Sequence, residues 1–143
     1  MKREKILLIG SRVYIFTSAL CLLLVSLQAW YDPQMVMDLV NVQLENNDAS
    51  SSIRGVYGGV GLTIYVTLIY LMKKDVGKGL LFLSMFWGLY AFSRLLTVIA
   101  DGQLGGFGNQ WLKIESFLFI LGLALLMAYH LFFNGKKLKH EKI

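Results

Sequence analysis

Four long apolar stretches alternate with short polar segments along the chain. They cover about residues 13–30, 54–72, 79–100 and 112–133, and Arg94 is the one charge that interrupts the third. Each contains at least 18 residues, and 18 residues extend roughly 27 Å as a helix, close to the 30 Å hydrocarbon core of a bilayer. The pattern therefore predicts four transmembrane helices.

The segment between the first two stretches has helical spacing of its own. Asp32 is a predicted N-cap, Pro33 a predicted first helical residue, and apolar residues follow at helical spacing between 35 and 42. Ser51 or Ser52 is expected to cap the second span. The predicted fold is an all-α membrane protein, a single domain over residues 1–143, in which a four-transmembrane-helix bundle carries a short outer amphipathic helix between spans 1 and 2.

Composition supports a membrane protein and excludes several kinds of chemistry. The chain is 56% hydrophobic and 16% charged, whereas soluble domains are about 45–50% apolar and 25% charged. Cys21 is the single cysteine, so no C-x-x-C motif is present for thiol–disulfide chemistry. His130 and His140 are too few and too far apart for a metal or haem site. We expect no cofactor and no metal.

The basic residues are distributed unevenly between the two sides of this topology. Eleven of the fourteen Lys and Arg precede the first span, lie between the second and third, or follow the fourth. The connections 31–53 and 101–111 contain none. The positive-inside rule then places both termini in the cytoplasm and both of these connections on the outer side. The basic tail, residues 134–143, is expected to anchor to anionic lipid and not to bind nucleic acid.

The basic start followed by an apolar stretch also has the shape of a signal peptide. Its small-x-small cleavage pattern is poor, so we expect an uncleaved first span.

Glycine is concentrated where the second span begins, in the sequence SSIRGVYGGVG. Glycine is a poor helix former, but small residues let two helices approach closely in lipid, and Gly55 and Gly59 form a G-x-x-x-G pair. The small residues predicted to pack against another helix are Gly55, Gly58, Gly59 and Gly61 in the second span and Ser84 and Gly88 in the third. The partner is either another segment of this chain or a second copy.

Charged side chains occur in the predicted outer half of three spans. A charge in hydrocarbon costs from about 3 to more than 10 kcal/mol, so such groups point inward and pair. The charges of Arg54, Arg94, Asp101 and Glu115 sum to zero. Glu115 is the acid on a neighbouring span that is nearest to Arg94 in depth, and Asp101 is the next candidate partner. The predicted polar cluster consists of Arg54, Tyr57, Trp87, Tyr90, Arg94, Asp101 and Glu115.

This cluster has a structural and a functional interpretation. A neutral network of ion pairs could serve only to fix helix register. Alternatively the cluster lines an outward-opening pocket in which the arginines receive an anionic head group, because the planar guanidinium suits carboxylate and phosphate. The predicted function is a non-enzymatic membrane protein that binds a lipid, a small amphipathic ligand or a partner's helix. The alternatives are a small dimeric transporter and, third, a membrane-embedded enzyme acting on a lipid.

Three motifs in order resemble the bacterial family of domain of unknown function 4345. They are "IRGVYGGVGL" opening one span, "SRLLTVIADGQ" ending the next and "KIE" opening the last. Gln103 stands where that family usually has a proline after Asp-Gly. The resemblance implies a small multi-pass membrane protein of the bacterial cytoplasmic (inner) membrane, without an assigned activity. The matching positions are Arg54, Tyr57, Gly58, Gly59, Arg94, Asp101, Gly102 and Glu115.

Overall fold

The computed structural model describes residues 2–134, and every regular element within them is helical. Two π-helical segments interrupt the α-helical pattern, Arg54–Val60 between α3 and α4 and His130–Asn134 after α6. The all-α prediction is confirmed. The predicted basic tail covers residues 134–143, and all of it except residue 134 lies outside the described residues. The α-helices are α1 Lys2–Tyr31, α2 Pro33–Asp38, α3 Asn47–Ile53, α4 Gly61–Lys74, α5 Val76–Asp101 and α6 Gly106–Tyr129.

Four helical segments are long and apolar enough to cross a membrane, and each contains one of the predicted spans. Because α3, the π segment and α4 run on without a break, the second of them has 28 residues. In the most apolar window of the fourth, only 6% of residues are buried. So much exposed apolar surface is unusual in a soluble monomer and typical of helices that face lipid. The four segments are Lys2–Tyr31, Asn47–Lys74, Val76–Asp101 and Gly106–Phe133.

The start of α2 follows the predicted capping arrangement. The carboxylate of Asp32 accepts a hydrogen bond of 3.0 Å from the backbone N–H of Gln34, and Pro33 occupies the first helical turn. Pro is favoured there because that turn has no intrahelical use for its missing N–H. The predicted short helix between spans 1 and 2 is therefore present.

The start of α3 differs from the prediction. The helix begins at Asn47, and the side chain of Asn46 caps it by accepting a 2.8 Å hydrogen bond from the N–H of Ala49. The prediction that Ser51 or Ser52 caps the second span is wrong, since both lie inside the helix. Asn is as good an N-cap as Ser, and at Asn46 the backbone is still extended.

The turn between α4 and α5 is a single residue, Asp75. Its carboxylate caps α5 by accepting a 3.0 Å hydrogen bond from the backbone N–H of Lys78. This hydrogen bond, together with the nearby Lys78 ammonium, holds the pKa of Asp75 below its ordinary value. The cap fixes where α5 begins.

The described chain divides into two compact units. The first joins the start of α1, up to Tyr14, to α5 and α6, and the second runs from Ile15 to Lys73. In the first unit, α5 and α6 pack along each other as an antiparallel pair. A Cβ at Gly88 would lie 2.9 Å from the ring of Phe119, so glycine allows this close approach. The prediction of one domain over residues 1–143 stays a prediction.

In the second unit, α2 and the segment after it cover an apolar cluster. Ala29, Val36 and Met37 are buried there, with Leu44 and Ile53 packed against them. The side chain of Gln34 holds the following segment in place. Its amide N–H donates to the carbonyl of Val42 and its amide oxygen accepts from the N–H of Leu44, both at 2.9 Å.

Helix α1 buries small and polar side chains and exposes large apolar ones. The residues exposed on its other faces include Val13, Phe16, Leu24 and Leu27. This arrangement is the reverse of a soluble helix and typical of a helix that packs through small residues and faces lipid elsewhere. The buried seam consists of Ser11, Tyr14, Ile15, Ser18, Ala19, Ser26 and Ala29.

Candidate functional site

The antiparallel pair α5–α6 brings Arg94 and Glu115 into a two-pronged ion pair. Nε of Arg94 donates to Oε2 of Glu115 at 2.6 Å, and Nη2 donates to Oε1 at 2.9 Å. The Glu115 side chain is 2% exposed and that of Arg94 is 23% exposed. Such parallel hydrogen bonds between charged groups are about twice as strong as neutral ones. The predicted pairing of these two residues is present.

The pair leaves one edge of the guanidinium unused. A guanidinium carries five N–H donors, and the bonds to Glu115 use one on Nε and one on Nη2. Within residues 2–134, no hydrogen bond is recorded from Nη1 of Arg94. The partly exposed edge of Arg94 can therefore receive a second acceptor without breaking the buried pair.

An apolar groove of about 500 Å³ lies along α5 and α6 and ends at the level of this pair, although neither Arg94 nor Glu115 lines it. It reaches Leu95 on one helix and Ser116 on the other, the chain neighbours of Arg94 and Glu115. From there it extends along the helices to Ser84, a distance of about 16 Å at 1.5 Å per residue. The lining residues are Ser84, Met85, Gly88, Leu89, Ala91, Phe92, Leu95, Ser116 and Phe119.

Two aromatic residues of the predicted polar cluster, Trp87 and Tyr90, lie on α5 with Arg94. Trp87 is 5% exposed, and its indole N–H has no hydrogen-bond partner within the described residues. The ring of Tyr90 lies 4.8 Å from that of Phe86 and 6.3 Å from that of Trp87. These rings form an aromatic cluster on α5 close to the ion pair along the helix.

Asp101 is the last residue of α5 and is exposed. It follows Arg94 by seven residues, or two turns, and so shares its face of the helix. The chain leaves the helix at Gly102, whose φ of 100° lies in the region that favours glycine. No hydrogen bond or ion pair of Asp101 is recorded in the described part of the chain, so its carboxylate is available.

Arg54 and Tyr57 belong to the second compact unit. Nε of Arg54 donates to the backbone carbonyl of Trp30 at 3.3 Å, and its side chain is exposed. Tyr57 is exposed in the π segment. The geometry thus joins Arg94 to Glu115, while the arrangement of all seven predicted residues as one cluster stays a prediction.

The glycines of the second span differ in what lies next to them. A Cβ at Gly58 would collide with the Trp30 ring, and one at Gly61 would collide with Ser26 Oγ. At Gly55 and Gly59, nothing described lies within 4 Å of that position. Within this chain the close contacts are therefore made by Gly58 and Gly61, which are not the G-x-x-x-G pair.

The sequence interpretation missed a buried polar contact at Tyr14. This tyrosine is 7% exposed, and its hydroxyl donates to the carbonyl of Leu118 at 2.9 Å. A Cβ at Gly122 would lie 2.8 Å from Tyr14 Oη and 2.9 Å from Ser84 Oγ. The contact places Tyr14, at the start of α1, against α6. A single glycine in the leucine-rich fourth span was the available signal.

Residues 2–134 contain no group of three or more His, Cys, Asp or Glu placed to hold a metal ion. The candidate site consists of one guanidinium, its carboxylate partner, aromatic rings and an apolar groove. Four helices long and apolar enough to cross a membrane, two of which are joined by this ion pair, are compatible with a membrane protein.

The chain belongs to the family described as "Domain of unknown function (DUF4345)", whose model matches residues 10–126. This confirms the family suggested by the three motifs, and the matched range includes both members of the ion pair. Neither the search of curated proteins nor the search of solved structures found a match.

Proposed function

We propose that this protein is a non-enzymatic four-helix bundle of the bacterial cytoplasmic membrane that binds a phospholipid between α5 and α6. The head group lies at Arg94 and one acyl chain occupies the groove. The observation that carries the proposal is the position of the groove, which ends at the chain neighbours of the Arg94–Glu115 pair. A polar anchor at the end of an apolar channel matches the shape of a lipid.

The head group has to supply the selectivity. Lipid tails are as apolar as the groove, so in a bilayer any acyl chain can cover its lining with little difference in free energy. Arg94 can select for the head group, because it retains N–H donors beyond those that bind Glu115. A phosphate oxygen is a suitable acceptor, since planar guanidinium groups bind phosphate through parallel hydrogen bonds.

Filling the groove tests this proposal. Ser116→Phe puts a ring into the groove without touching either charge, and the purified protein is expected to lose most of its co-purifying phospholipid. Its stability should change little, by about 0.5 kcal/mol, because the ring enters open space. Bound lipid is counted by native mass spectrometry.

Ser93→Phe is the matched control, because Ser93 is exposed on α5 and does not line the groove. It should retain the wild-type amount of lipid. Equal lipid in wild type and Ser116→Phe would contradict the proposal. Loss of an oligomer with unchanged lipid would do the same, and would identify the occupant as a partner helix.

The same proposal includes a topology with both termini in the cytoplasm. Its support is the charge asymmetry of the sequence, in which the connections 31–53 and 101–111 contain no Lys or Arg. In this orientation the ends of α5 and α6 that carry Asp101 and Gly106 face outward. The head group of the bound lipid would then lie in the outer leaflet.

Cysteine labelling tests the topology. In a Cys21→Ser background, single cysteines at Asn47 and Gln103 are expected to react with an impermeant maleimide on spheroplasts, whereas a cysteine at Lys73 should react only after lysis. All three positions are exposed, so burial inside the protein does not prevent the maleimide from reaching them. If only the cysteine at position 73 reacted on intact spheroplasts, the topology would be the reverse of the proposed one.

A further inference from the structure

We propose that the lipid bound at this site is zwitterionic, with a primary ammonium group beside its phosphate. This inference rests on the proposed function and narrows it to a head-group class. It follows from the charge balance of the Arg94–Glu115 pair and from the exposed carboxylate of Asp101, which comes after Arg94 on α5.

The charge of Arg94 is already balanced. Glu115 is 2% exposed and binds the guanidinium with both oxygens, so the pair as a unit is neutral. A neutral pair can donate hydrogen bonds to a phosphate, but it gives little net attraction for a lipid that carries a full negative charge. A zwitterionic head group has no net charge, so the neutrality of the ion pair does not weaken its binding.

Asp101 supplies the complementary negative charge. It lies two turns beyond Arg94 on the same face of α5, about 10 Å along the axis, and it is exposed. Its Cα–Cβ bond leans toward the N terminus of α5, which is the direction of Arg94. Phosphate on Arg94 and ammonium on Asp101 would therefore follow the order of charges in a zwitterionic head group.

The facing helix adds an aromatic ring at the same level. The register that pairs Arg94 with Glu115 brings Trp111, one turn earlier on α6, to a height between Arg94 and Asp101. Trp111 is partly exposed, and its ring lies 6.0 Å from that of Phe107. A tryptophan face attracts a cation within about 6 Å of its centre, so this ring favours an ammonium group.

Lys113 does not alter this balance at the site. It lies two residues before Glu115, about 200° around α6, and is therefore on the far side of the helix from the ion pair. Apart from Arg94 itself, an ammonium group at Asp101 would thus meet no basic side chain of α5 or α6 on this face.

Lipid competition tests the inference. The full-length protein is reconstituted in vesicles of equimolar phosphatidylethanolamine and phosphatidylglycerol with identical acyl chains, extracted in detergent, and its bound lipids are measured by mass spectrometry. Wild type should retain phosphatidylethanolamine preferentially. Asp101→Asn should lower the ratio of bound phosphatidylethanolamine to bound phosphatidylglycerol about tenfold, equivalent to about 1.4 kcal/mol.

Asp48→Asn provides the control, because it makes the same change at an exposed acid of α3 and should leave the ratio as in wild type. Equal or greater retention of phosphatidylglycerol by wild type would overturn the inference and leave lipid binding intact. An unchanged ratio in Asp101→Asn would also overturn it. Retention of neither lipid would instead count against the proposed function itself.

Discussion

Replacing Arg94 with leucine is expected to lower the free energy of unfolding by about 3–5 kcal/mol. The substitution leaves the carboxylate of Glu115 buried at 2% exposure without either of its two hydrogen bonds. An uncompensated charge in that position costs far more than the lost attraction alone. Unfolding in a fixed detergent, followed by tryptophan fluorescence during denaturant titration, measures the loss.

The double variant Arg94→Leu with Glu115→Met should recover most of that stability. Replacing a buried ion pair by apolar residues of similar volume is often neutral or stabilising, and residues in direct contact give non-additive effects. Arg54→Leu is the matched control, because Arg54 is exposed and makes one long hydrogen bond of 3.3 Å. It should cost about 1 kcal/mol or less. A double variant as unstable as Arg94→Leu would refute the energetic coupling of the pair.

The same double variant separates a structural pair from a functional one. If Arg94 serves only to fix α5 against α6, the recovered protein should carry as much phospholipid as wild type. If Arg94 holds a head group, the double variant should be stable and depleted of lipid. The second result is the one that the proposed function requires.

Adding one methyl group to Gly58 is expected to destabilise the protein by about 1–3 kcal/mol. The new Cβ would collide with the indole ring of Trp30, so the ring or the backbone of the π segment must shift. The matched change at the next residue, Gly59→Ala, has no described neighbour within 4 Å of the new atom. It should be neutral or should stabilise by up to about 1 kcal/mol, since alanine is the better helix former.

Thermal unfolding of the two variants, each purified in the same detergent, gives the comparison directly. A lower midpoint for Gly58→Ala and an equal or higher midpoint for Gly59→Ala is the expected pattern. Destabilisation by Gly59→Ala together with loss of a dimer would instead show that Gly55 and Gly59 pack against a second copy. Equal behaviour of the two variants would refute the contact with Trp30.

The local sequence was sufficient to predict the helices and one charged pair. Hydropathy depends only on consecutive residues, so the four apolar stretches can be located without knowing any tertiary contact. Each of them lies within an observed helix. The cap at Asp32 also depends only on neighbouring residues. Arg94 and Glu115 could be paired in advance because a charge in hydrocarbon needs an opposite one at the same depth, and few were available.

Tertiary structure decided which surfaces of those helices meet. The contact of Tyr14 with Leu118 joins residues 104 positions apart, and no local pattern encodes which backbone carbonyl a buried hydroxyl will reach. The G-x-x-x-G spacing indicated Gly55 and Gly59, yet Gly58 and Gly61 meet α1 within this chain. A G-x-x-x-G match assumes regular α-helical geometry, whereas residues 54–60 form a π-helix, in which each turn holds more residues and the side chains point in different directions.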